Sequence, residues 1–120
     1  MKMLGVAAAL AVLQAAASPQ KIPIVNVTGC LKEAPAGTWT LSHATDPVPG
    51  SANAPPATDV PKIPPVGKNQ FRLIGVSEFN LPAHRDHTLI LKGLLIAATP
   101  ISRLNITSVT MVAPNCAVTP

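Results

Sequence analysis

From residue 22 to residue 112 the apolar positions come in short stretches with a period of two, separated by polar turns. Ile22–Leu31 reads I-P-I-V-N-V-T-G-C-L, rich in β-branched residues, with Gly29 where a bend or bulge would fall. It predicts a first strand, and Lys32–Gly37, with Pro35, suits a hairpin connection. Thr38–Ser42 alternates strictly and places Trp39 and Leu41 on one face of a second strand. Gln70–Val76 predicts a third. Ser77–His87 predicts a short helix or helical turn, with Ser77 as its cap, Glu78 in its first turn, and Phe79 and Leu81 turned to the core. Thr88–Ala98 is nearly all apolar apart from Lys92-Gly93. Gly93 and the following Pro100 argue against a helix, so it predicts a strand buried on both faces. Leu104–Val112 alternates and then shifts phase around Ser108, the signature of a β-bulge in a last strand.

Residues 46–66 interrupt this pattern. Seven of the twenty residues from Asp46 to Pro65 are proline, which disfavours both helix and ladder pairing and favours extended backbone. The stretch reads as a long surface loop. The functional alternative, a segment recognised by a proline-binding partner, lacks a charged Pro-x-x-Pro consensus, since Lys62 stands alone. The resulting order is strand, strand, long loop, strand, short helix, strand, strand. The predicted fold is therefore mainly β, a five-stranded OB-like barrel with one short helix between the third and fourth strands.

The N-terminus is different again. Met1-Lys2-Met3, the apolar run Leu4–Leu13 and Ala15-Ala16-Ala17 have the layout of a cleaved secretory signal helix, with processing expected after Ala17. Gln14 and Ser18-Pro19-Gln20-Lys21 end the run too early for a bilayer span, which takes about twenty apolar residues. The expectation is one domain over residues 18–120, secreted or periplasmic, with no membrane span after processing. Removing the signal takes Lys2 with it and lowers the formal charge of +4 by one. The remaining cations are scattered rather than gathered in the stripe of a nucleic-acid binder. Cys30 and Cys116 are the two cysteines. In an exported chain such a pair reads first as a disulfide, the alternative being two unpaired thiols.

Composition excludes more than it assigns. With 48% apolar and 12% charged residues this is not a disordered tail, and fourteen prolines leave little room for long helices. The densest polar cluster is His84-Arg85-Asp86-His87. His84, Asp86 and His87 offer two imidazoles and a carboxylate to a divalent cation, or a histidine beside an acid for proton transfer. The plainer reading is a polar turn, because structural metal sites normally need four ligands. No catalytic nucleophile motif and no glycine-rich phosphate loop occur, and no cofactor is indicated. On a barrel face, Trp39, Phe71 and Arg72 are the residues that could meet a ligand, although aromatics on strands are more often core. Nucleic acid is not the expected partner of an exported chain. Asn26-Val27-Thr28 and Asn105-Ile106-Thr107 match the glycosylation sequon, and both also fit ordinary strand positions.

Val27-Thr28-Gly29-Cys30-Leu31, Trp39-Thr40-Leu41, Phe71 to Gly75, Leu81-Pro82-Ala83-His84, Leu89 to Gly93 and Ile106 to Met111 occur in a shared order. That order resembles a family of small secreted bacterial proteins with an uncharacterised OB-like domain, over nearly all of residues 24–116. Phe71 stands where that family has Tyr, and Arg85-Asp86 replaces its Val-Gly. The resemblance implies a fold and a compartment, not an activity. The functional expectation is an exported, non-catalytic binding or interaction module of unassigned ligand, held by a Cys30–Cys116 disulfide. Two alternatives stand beside it: a metal-dependent accessory protein or small enzyme using His84, Asp86 and His87, and a binder of single-stranded nucleic acid or anionic glycan using Trp39 and Arg72.

Overall fold

The structure is a computed structural model that describes residues 22–51 and 53–116; the stretch read as a signal peptide lies outside the described residues. These form six strands, β1 (Ile24–Ala34), β2 (Thr38–Ala44), β3 (Val48–Pro49), β4 (Asn69–Ile74), β5 (Thr88–Ile96) and β6 (Arg103–Ala113). Short 3-10 turns fall at Pro35–Gly37, Ala57–Asp59 and Leu81–His84. The fold is mainly β. The strands join in the order β2-β4-β6-β5-β1-β3, and a further β1–β2 pairing closes five of them into a ring. Every pairing is antiparallel except β4–β6, which is parallel and short: Arg72↔Arg103, Leu73↔Leu104 and Ile74↔Asn105.

One bent strand makes the ring possible. The first part of β1, Ile24–Cys30, runs against β5, whereas Cys30–Ala34 runs against β2. Gly29 sits where the partner changes, and a Cβ there would come within 2.8 Å of both Leu41 Cγ and the Ser42 carbonyl oxygen. A side chain would hold β2 off.

Alternation then fills the interior as the sequence predicts. Leu31, Leu41, Leu89, Leu91 and Leu104 are fully buried inside the ring, with Val27, Trp39, Phe71 and Leu73 in the same cluster. Burying each such side chain contributes about 1.5–3 kcal/mol. On β5 the outward Ile90 and Lys92 are buried as well as the inward Leu89 and Leu91, so its first six residues are covered on both faces. The expected bulge is present: Lys92 faces Ser108 but Gly93 faces Ile106, leaving Thr107 as the extra residue.

Two expectations need correction. The segment after β4 forms only the turn Leu81–His84, entered from Asn80 without a side-chain cap, so Ser77 does not cap a helix. Pro82 lies at the start of that turn, where its missing N–H costs nothing, and Leu81, 1% exposed, anchors the turn to the core. The proline-rich loop, in turn, does contribute ladder pairing. Val48–Pro49 pairs with Val25 and Asn26, flanked by hydrogen bonds from Thr45 N–H to the Thr28 carbonyl and from Gly50 N–H to the Ile24 carbonyl. β3 thus extends the path of β2 along β1, and Pro49 is tolerated because the strand lies at an edge.

Cys30 and Cys116 form a disulfide with Cα atoms 5.4 Å apart and a sequence separation of 86. The Thr88 hydroxyl donates to the Asn115 carbonyl at 2.8 Å and holds the segment leading to Cys116. Among the described residues no helix is long and apolar enough to cross a membrane.

Candidate functional site

The His84–His87 turn is docked on β1 by backbone hydrogen bonds. Asp86 N–H donates to the Leu31 carbonyl at 2.9 Å, and Leu31 N–H donates to the His87 carbonyl at 3.0 Å. The docking brings His84 and His87 together, Nδ1 to Nδ1 at 3.4 Å, with the rings edge to face. Asp86 does not join them. At φ 64° its side chain turns outward and accepts a hydrogen bond from Lys32 Nζ at 2.8 Å. Arg85 turns to Glu33 at 2.6 Å, so two ion pairs fasten the turn to β1. The hydrogen bond from Lys32 lowers the Asp86 carboxyl below its usual range; desolvation opposes the shift, and the charges of Lys32, Arg85 and His87 reinforce it. Among the described residues no three histidine, cysteine or acidic side chains converge on a common metal position. The arrangement is that of a polar turn clamped to a strand, with one imidazole donating to the other.

The residues suggested for a ligand face are split by strand alternation. Trp39 and Phe71 point inward and belong to the core, at 6% and 5% exposure, while Arg72 between them on the sheet points out. Trp39 still borders a cavity of about 370 Å³ with Arg72, under Gly37 and Thr38 on one side and Ile74 to Val76 on the other. A second cavity, of about 470 Å³, lies against Arg72, Ile74 and Arg103 and is walled by residues 98–101. The two cavities share Arg72 and Ile74 and so form one uneven surface across β2, β4 and β6.

Arg103 is the residue that reading along the chain misses. It is the cross-strand partner of Arg72 through the parallel β4–β6 pairing, and both side chains are exposed. Nothing local marks it. The available signal was its outward position beside inward Leu104, combined with an element order that makes the third and last long strands neighbours. A second outward row, Asn26–Lys92–Ser108, crosses β1, β5 and β6; Asn26 Oδ1 and Ser108 Oγ there are buried without hydrogen-bond partners. Compared with protein-family models, with curated proteins and with solved structures, the chain has no match.

Proposed function

We propose that this chain is an exported binding module of the OB-like kind, acting by recognition rather than catalysis. The strand order with parallel β4–β6, and a helical turn between β4 and β5, agrees with OB connectivity. The disulfide is compatible with an oxidising compartment, as the leader-like pattern of residues 1–17 also suggests. The observation that carries the reading is the pair of cavities meeting at Arg72 and Ile74 on the outer face of β2–β4–β6. The metal-dependent alternative is left with two imidazoles and no third ligand among the described residues.

Trp39 is the single tryptophan of the chain and borders the smaller cavity, so its emission reports occupancy. The disulfide-bonded protein is titrated with neutral and acidic oligosaccharides, single-stranded DNA and peptides. At least one class is expected to give a saturable change that Ile74→Phe abolishes while the thermal melt is retained. No response from any class, or a response unchanged in Ile74→Phe, would overturn the assignment of this face.

A further inference from the structure

The face just described carries a charge arrangement that folding does not require. Arg72 and Arg103 are register partners on adjacent parallel strands, whose backbones lie about 4.8 Å apart. Both are exposed and both line the larger cavity. Like charges placed directly opposite across a ladder are destabilising. The ion pairs among the described residues are Lys32–Asp86 and Arg85–Glu33, and no carboxylate lines either cavity on this face. In a chain with nine cationic residues in all, these two are register partners, and neither is in an ion pair among the described residues.

We infer that Arg72 and Arg103 together grip an oxyanion, a sulfate ester or a uronate carboxylate, carried on an acidic oligosaccharide. This rests on the binding-module reading. A guanidinium presents a planar fork of donors that meets two oxygens of such a group at once, and two forks side by side address one oxyanion from both flanks. Ile74, Pro100 and Ile101 supply apolar surface beside the charges, suited to the C–H faces of a sugar ring. Two other polyanions fit less well. Single-stranded nucleic acid is held by stacking bases on exposed aromatics, and here Trp39 and Phe71 are committed to the core. An extended acidic peptide gains affinity by pairing with a sheet edge, but Arg72 is flanked by β2 and β6, and Arg103 by β4 and β5. Neither arginine lies on an open strand edge that a peptide could extend.

The test is calorimetry at low salt, with Trp39 emission in parallel, using a heparin-derived hexasaccharide, hexagalacturonate, maltohexaose, ten-residue oligo-dT and hexaglutamate. One of the two acidic oligosaccharides is expected to bind best, and which one identifies the oxyanion as sulfate or carboxylate. Arg72→Gln and Arg103→Gln should each weaken that binding about tenfold or more, the worth of one charge-assisted contact. Arg103→Lys should recover only part of the loss, since charge returns without the fork. Lys62→Gln removes the same charge from the proline-rich loop, outside both cavities, and should leave affinity within about twofold. Equal weakening by Lys62→Gln would overturn the inference, as would maltohexaose, oligo-dT or hexaglutamate binding at least as tightly as the acidic sugars. If a neutral sugar moves Trp39 and binds as tightly as the acidic ones, the binding face stands and the oxyanion falls; if no ligand binds, both fall.

Discussion

The side chain of Asp86 stands largely in solvent, yet Lys32 holds it at 2.8 Å, and that contact governs its titration. Its folded carboxyl titrates below the usual value of 3.8. A depressed carboxylate contributes stability above its unfolded pKa and loses it as pH falls through the folded one. Asp86→Asn should therefore cost stability near neutral pH, and the gap between wild type and variant should close from about pH 4 downward. Urea midpoints of both proteins across that range are the check; a gap that does not vary with pH would show that the ion pair contributes nothing. The partner of Asp86 was not legible in the sequence, because Lys32 lies 54 residues away and reaches it only through the docking of the turn on β1. Part of the inward pattern was legible, since alternation is local: Trp39 and Leu41 share one face of β2, and that face is the buried one. The same alternation turns Trp39 and Phe71 into the core and leaves Arg72 outward, with Trp39 reaching only the smaller of the two cavities that Arg72 lines.

Among the elements, β5 and β6 show how one residue type sets a pairing. A Cβ on Gly93 would lie 2.3 Å from the Asn105 carbonyl oxygen and 2.9 Å from Ile106 Cα, both backbone atoms that cannot swing away. Glycine there allows the strands to close up directly beside the bulge at Thr107. Gly93→Ala should cost about 1–3 kcal/mol in denaturant unfolding, the range for forcing extra volume into a packed site. A variant that unfolds with the wild type would show that the approach is not tight. The bulge could be read beforehand because it leaves a mark in the hydrophobic phase. The two-residue β3 could not, since proline-rich composition hides a pairing that depends on where β2 ends. The helical turn before β5 was legible but its start was not, because burial of Leu81, rather than capping by Ser77, fixes where it begins.

At the scale of the whole molecule, the disulfide joins the middle of β1 to the residues just past β6, across a separation of 86 residues. Closing a loop of that length removes roughly 4–5 kcal/mol of chain entropy from the unfolded state. Replacing Cys30 and Cys116 together by serine should lower stability by about 2–5 kcal/mol, measured by denaturant unfolding of the two proteins side by side. Thiol counting on the unreduced, denatured protein should find none. The staple acts on the unfolded chain, whereas the β4–β6 pairing has to hold in the folded one, and there the ring is joined by three register pairs. Arg72 and Arg103 sit astride this joint as like charges, an arrangement that weakens a ladder. A bound anion would reverse that weakening, so filling the site and keeping the ring shut become one equilibrium, and the joint most ready to part when empty is the one a ligand would clasp.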